Sequence, residues 1–152
     1  MWQIWQGCFH GCNKLTNVDI SNFDTSNVNS MGYLFSGCNS LSKVKLDGID
    51  SSKADSLAGL FEGCSNLLSI DLSDFDTSNA TSMRYMFKLC SKLEVIYVSS
   101  SFITTNVTDS SGMFFNCASL VGGNGTKYSS SKVDKTYARI DTASTPGYFT
   151  AE

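Results

Sequence analysis

The stretch Cys64-Ser-Asn-Leu67-Leu-Ser-Ile70-Asp-Leu72-Ser-Asp-Phe75-Asp-Thr-Ser-Asn-Ala-Thr-Ser-Met83-Arg-Tyr-Met86-Phe87-Lys-Leu-Cys90 is one unit of a repeat, and it sets the reading of the whole chain. Cys12, Cys38, Cys64 and Cys90 are spaced by 26, and Cys117 follows after 27, the extra residue falling in Ser99 to Ser101. The register holds column by column. Phe9, Phe35, Phe61, Phe87 and Phe114 stand three before each cysteine, and Cys8, Leu34, Leu60, Met86 and Met113 stand four before. Trp5, Met31, Leu57 and Met83 stand seven before. Past the cysteine, Leu15, Leu41, Leu67, Leu93 and Leu120 form a column, then Val18, Val44, Ile70 and Ile96, then Ile20, Leu46, Leu72 and Val98. A last column holds Phe23, Ile49, Phe75 and Phe102. Periods of this size are the mark of repeat architectures.

Each unit reads as two elements. Apolar offsets such as Met83, Met86, Phe87 and Cys90 make the stripe of a short helix, with Ser30, Ser56 and Ser82 as candidate caps. After the cysteine, Leu67, Ile70 and Leu72 shift to the alternation of a half-buried strand. The predicted fold class is α/β: a leucine-rich-repeat-like right-handed solenoid with one parallel strand and one short helix per 26-residue repeat. Residues 1–152 form one domain: a partial unit over 1–11, four repeats over 12–119 and a C-terminal cap over 120–152. The partial first unit predicts that the natural chain continues upstream. Aromatics in the tail, Tyr137, Tyr148 and Phe149, are expected to cover the open core of the last unit.

Composition bounds the function. The 152 residues carry only 16% charged side chains and a net charge of −3, so no basic field exists to hold nucleic acid. Instead there are 25 Ser, 12 Thr and 11 Asn. No run approaches a membrane span and no targeting signal is visible, so no membrane insertion is expected.

Units such as Leu67 to Phe87 resemble those of the BspA-type leucine-rich-repeat bacterial surface proteins. The tail from Leu120-Val-Gly-Gly-Asn-Gly-Thr to Tyr137-Ala-Arg-Ile-Asp, ending Pro146-Gly-Tyr-Phe-Thr150, is similar to the segment that closes such arrays. The resemblance implies an extracellular or cell-surface protein of the adhesin type, whose partner is a host protein or another cell-surface protein. Two departures are visible: the second unit is degenerate over Gly48 to Ser56, and Phe23, Ile49 and Phe75 stand where ordinary leucine-rich repeats hold a ladder asparagine.

No catalytic constellation is present, so no enzyme activity and no cofactor are expected. His10, the sole histidine, stands between Phe9 and Gly11 and reads as solvated. Cys12, Cys38, Cys64, Cys90 and Cys117 read as a structural ladder of inert buried thiols; a local bridge such as Cys8–Cys12 and a metal site are the alternatives. Asp24, Asp50 and Asp76 recur once per unit, either as Asx turns or as oxygen ligands of calcium. The Gly122 to Gly125 run reads as a turn in the cap.

Binding is expected on the strand face, where outward positions vary while buried columns repeat. Asn17, Asp19, Lys43, Lys45, Asp71, Val95 and Tyr97 are the candidate ligand-binding residues, Tyr97 being an aromatic anchor of the kind that dominates interfaces. The competing readings are a soluble face with no partner, or a passive spacer segment of a larger surface protein.

Overall fold

The computed structural model describes residues 3–152, with side chains from residue 5 onward. The order is β1 (Gln3–Ile4), β2 (Asn17–Asp19), β3 (Val28–Ser30), β4 (Lys43–Lys45), β5 (Ser69–Asp71), β6 (Val95–Val98), a 3₁₀ turn at Lys135–Tyr137, and β7 (Phe149–Ala151). All strand pairings are parallel. They link β1 with β3, β2 with β4, and β5 with β6 and β7. Isolated parallel bridges join Ser30 to Ser56, Ser56 to Ser82 and Ser82 to Asp109, each one repeat apart. The serines expected to cap helices therefore form a second rail of inter-repeat pairing.

The expected helix is absent. Among the described residues no α-helix forms, and the 3₁₀ turn at Lys135–Tyr137 is the one helical element. Over Met31 to Cys38 the backbone N–H groups instead alternate in direction. Those of Met31, Tyr33, Phe35 and Gly37 donate to Ser56, Ala58, Leu60 and Glu62 of the next repeat, at 2.7–3.0 Å. Those of Leu34, Ser36 and Cys38 close local turns on Met31, Tyr33 and Phe35. The same alternation runs from Leu57 to Cys64 and from Met83 to Cys90.

An α-helix would send every N–H four residues back along its own chain. It is barred here by left-handed residues at two positions per repeat. Gly7, Tyr33, Gly59, Tyr85 and Gly112 occupy the first, with φ between 57° and 67°. Gly11, Gly37, Gly63, Leu89 and Asn116 occupy the second, with φ between 60° and 76°. L residues avoid this region and glycine does not, which is why glycine holds six of the ten places.

The α/β leucine-rich-repeat-like solenoid is thereby corrected. The chain is nearly all β, built of small parallel sheets and runs of turns, with no helix per repeat. The apolar stripe survives the change of conformation: Met83, Met86, Phe87 and Cys90 are fully buried. A run that alternates between local turns and neighbour pairing still points these side chains to one side.

The phenylalanine column organises the core. Phe9, Phe35, Phe61, Phe87 and Phe114 stack at centroid separations of 5.4, 5.6, 6.0 and 5.6 Å, with interplanar angles of 7° to 10°. Each such contact contributes roughly 0.5–1.5 kcal/mol beyond the area it buries. At the C-terminal end the column stops against perpendicular rings: Tyr148 meets Phe114 at 79° and Phe149 meets it at 66°. Phe149 also pairs with Phe102 at 4.9 Å, and β7 extends the sheet beside β6.

Three buried hydroxyls are satisfied between repeats. Thr25, Ser51 and Thr77 are buried, and each bonds to the following repeat. The Thr25 hydroxyl accepts from Asp50 N–H at 2.8 Å, and that of Ser51 donates to Asp76 carbonyl at 3.0 Å. Thr77 donates to Ile103 carbonyl and accepts from Ile103 N–H, both at 2.7 Å.

Candidate functional site

The strand face is divided in two. In β2 and β4, Asn17 stands opposite Lys43, Val18 opposite Val44 and Asp19 opposite Lys45. In β5, β6 and β7, Ser69 stands opposite Val95, Asp71 opposite Tyr97, and Tyr97 opposite Thr150. No ladder of hydrogen bonds joins β4 to β5, although the strands are neighbours. Asn17, Asp19, Lys43 and Lys45 therefore share one sheet, while Asp71, Val95 and Tyr97 share the other.

Alternation places the side chains as a half-buried strand requires. Ile70, Ile96 and Val98 point into the core, whereas Asn17, Asp19, Lys43, Lys45, Asp71 and Tyr97 are exposed and Val95 is half-buried.

On the first sheet Lys45 Nζ lies 3.6 Å from Asp19 and 3.7 Å from Asp47, while Lys43 makes no ion pair among the described residues. Asp19 also accepts from Ser21 N–H at 3.0 Å and from its hydroxyl at 2.6 Å. These bonds, the hydroxyl first, hold the Asp19 carboxyl below its ordinary pKa, and Lys45 adds to the effect. A shallow depression of about 370 Å³ is lined by Asn17, Val18, Asp19, Lys43 and Lys45.

The second sheet is more apolar than the candidate residues alone suggest. Leu68 and Val121 are 51% and 37% exposed, and they flank Glu94, whose N–H donates to Leu68 carbonyl. Val121 N–H in turn donates to Glu94 carbonyl at 3.0 Å. Both stand beside Glu94, the residue before Val95, and neither is among the candidates. Their signal was the column four past each cysteine, Thr16, Ser42, Leu68, Glu94 and Val121, where apolar residues replace hydroxyls in an outward position.

The cysteine column is a hydrogen-bonded ladder. The thiols of Cys38, Cys64, Cys90 and Cys117 donate to the carbonyls of Phe9, Phe35, Phe61 and Phe87 at 3.1, 3.2, 3.0 and 3.0 Å. Burial pushes the Cys64 and Cys117 thiols up to about 12, and raises those of Cys90 and Cys38. Cys12 departs from the column: it is exposed, as is Cys8, and neither is bridged.

The recurrent aspartates close turns. Asp24, Asp50 and Asp76 accept from the N–H two residues on, at 2.9–3.0 Å, and Asp24 and Asp50 also accept the neighbouring serine hydroxyl. Serine bonds, the hydroxyl foremost, lower all three carboxyl pKa values. Among the described residues no group of three or more His, Cys, Asp or Glu side chains converges as metal ligands would. His10 is exposed.

The family described as "Mycoplasma protein of unknown function, DUF285" matches over residues 3–91 and again over 43–146. The chain belongs to the DUF285 family. The two matches overlap over 43–91, as befits a repeat on which one profile can be laid at more than one register. DUF285 membership corrects the expected kinship with BspA-type leucine-rich-repeat proteins. The physical reason is the one already seen, for leucine and methionine columns that suit a strand–helix repeat here fill runs of turns. No curated protein and no solved structure matches the chain. No helix among the described residues is long and apolar enough to cross a membrane.

Proposed function

We propose that the chain is a protein-binding module that presents its strand face to a host or neighbouring-cell protein at a cell surface. The observation that supports this reading is the contrast between columns on the same strands. Inward positions repeat as Ile20, Leu46, Leu72 and Val98, while outward positions run from Asp19 through Lys45 and Asp71 to Tyr97. A repeat that stays apolar inside while its outward positions change in charge and type can tune recognition without altering the character of its core.

The chemistry of the face suits a protein partner. Lys43 offers an ammonium without a competing carboxylate among the described residues, and Tyr97, 38% exposed, offers an aromatic anchor. The buried thiols, held protonated, suit an oxidising exterior, because the thiolate is the reactive form. The reading assigns no catalytic residue. A passive spacer is the second reading, favoured by the unbroken phenylalanine stack from Phe9 to Phe114, which links successive repeats.

The test is a solid-phase binding screen of the folded chain against extracellular-matrix and cell-surface proteins, beside a Lys43→Ala, Lys45→Ala, Tyr97→Ala triple variant. A ligand that the variant loses while keeping its fold supports the binding module. A ligand bound equally by both, or none at all, favours the spacer.

A further inference from the structure

The two ends of the repeat array are not alike. At the C-terminal end Met113, Phe114, Cys117 and Leu120 are fully buried, with Tyr148 and Phe149 set against Phe114. At the N-terminal end the same four columns lie open: Phe9 and Leu15 are half-buried, and Cys8 and Cys12 are exposed. Phe23 is 52% exposed, where Ile49 and Phe75 of its column are 3% and 2%. A shallow hollow of about 270 Å³, lined by Trp5, Cys8, Phe9 and Phe23, lies at this end.

The backbone there is one-sided. Along the array, alternate carbonyls of each run accept the N–H groups of the run before it: those of Gly32, Leu34 and Ser36 take Gly7, Phe9 and Gly11 at 2.7–3.0 Å. The corresponding carbonyls of the first run, Gln6, Cys8 and His10, accept from no protein donor among the described residues. Nor, among those residues, does the Cys12 thiol find the carbonyl that Cys38, Cys64, Cys90 and Cys117 each find in the preceding repeat. The end thus offers a row of acceptors, one thiol donor and the outer face of the Phe9 ring, whose inner face stacks on Phe35.

This pattern selects its occupant. A folded second copy does not supply it, because two such ends would set carbonyl against carbonyl, and the opposite end lies under the aromatic cap. A plain strand edge alternates N–H with C=O, so its own carbonyls would face acceptors. A run of this repeat does match: its alternate N–H groups point to its successor, and its phenylalanine carbonyl meets the successor's thiol.

We propose that the N-terminal end is a docking face for one further 26-residue unit of the same construction, joined in phase ahead of Gln3. The contact so made is continuous with the one that recurs from Phe9–Phe35 to Phe87–Phe114, and it covers the apolar surface that every later repeat buries.

The test joins a copy of residues 55–80 directly ahead of Gln3 in the otherwise whole chain, a graft that puts the copied Leu57, Gly59, Phe61 and Gly63 where their N–H groups meet the open carbonyls. Cys8 and Cys12 should then react with a chromogenic disulfide reagent at least about tenfold more slowly than in the parent, because a thiol reacts only where it can be reached. The melting temperature should rise, since stability in such arrays sums over units and their interfaces. A copy of residues 29–54, equally in phase, should act alike, and a scrambled copy of the same composition should leave both thiols as fast as in the parent. The proposal is overturned if neither in-phase copy slows the thiols and raises the melting temperature, or if the scrambled copy protects them equally, which would make any added segment the occupant. It is likewise overturned if sedimentation shows the parent dimeric with both thiols already slow, which would make a second copy the occupant.

Discussion

The Cys90 thiol donates to the Phe61 carbonyl of the preceding repeat at 3.0 Å, while the Phe61 ring stacks on Phe87 beside it. One repeat is thereby clipped to the next by a thiol and an aromatic face, and the same pair recurs along the chain. The thiol is both filler and donor, which gives the cysteine column its physical reason.

Native thiol reactivity should follow this arrangement. Of the six cysteines, exposed Cys8 and Cys12 should react with a chromogenic disulfide reagent in the folded protein, and the four buried ones only after denaturation. Four or more fast thiols in the native state would contradict the ladder.

Phe61 is fully buried between Phe35 and Phe87. Phe61→Ala should therefore destabilise the chain by about 3–5 kcal/mol in denaturant unfolding. A loss below about 1 kcal/mol would place the core elsewhere.

Gly59 has φ 59°, and a Cβ there would lie 2.4 Å from the Tyr33 ring. Gly59→Ala should lower stability by about 1–3 kcal/mol, combining left-handed strain with displacement of the ring. Adding Tyr33→Ala should recover part of that loss and leave the backbone share. Full additivity of the two substitutions in a double-mutant cycle would deny the contact.

Acid should loosen the cap. Burial pushes the Asp141 carboxyl up, but bonds from the Thr126 hydroxyl and N–H and from the Gly147 and Asn124 N–H groups outweigh it, leaving its pKa below the usual value. A folded pKa below the unfolded one means that the stabilisation is complete above the unfolded value of about 3.9 and is lost as pH falls through the folded one. Melting temperature should thus drop below about pH 4, and the drop should be smaller in Asp141→Asn, which is already weaker at neutral pH. An equal acid response in parent and variant would assign the effect to other carboxylates.

The period and the core columns could be read from the residues, because the repeat is written in the spacing of cysteine and phenylalanine, but the α/β solenoid inferred from them does not form. The inward and outward sides of β2, β4, β5 and β6 follow from alternation alone. The conformation of the run before each cysteine does not, since a stripe at offsets of zero, three, four and seven fits both a helix and a chain of turns. Glycine at Gly7, Gly59 and Gly112, and again at Gly11, Gly37 and Gly63, held the missing information. Tyr33, Tyr85 and Leu89 obscured it by taking the same backbone form with side chains that rarely do. Phe23 shows a different limit. It belongs to the column of Ile49, Phe75 and Phe102, yet it is 52% exposed, with Trp5 edge-on at 5.3 Å. Burial of a repeat column depends on the neighbour on each side, which a pattern within one unit does not encode.

Binding and folding should separate on the strand face. The direct measurement is affinity and melting temperature, taken together, for Lys43→Glu with Lys45→Glu and for Tyr97→Ser, against the ligand found in the screen. These side chains are exposed, and the Lys45 ion pairs are half in water, so each change should cost less than about 1 kcal/mol of stability. Affinity should fall by about tenfold or more with the melting temperature nearly unchanged. Undiminished affinity, or affinity that falls only in step with the melting temperature, would contradict it.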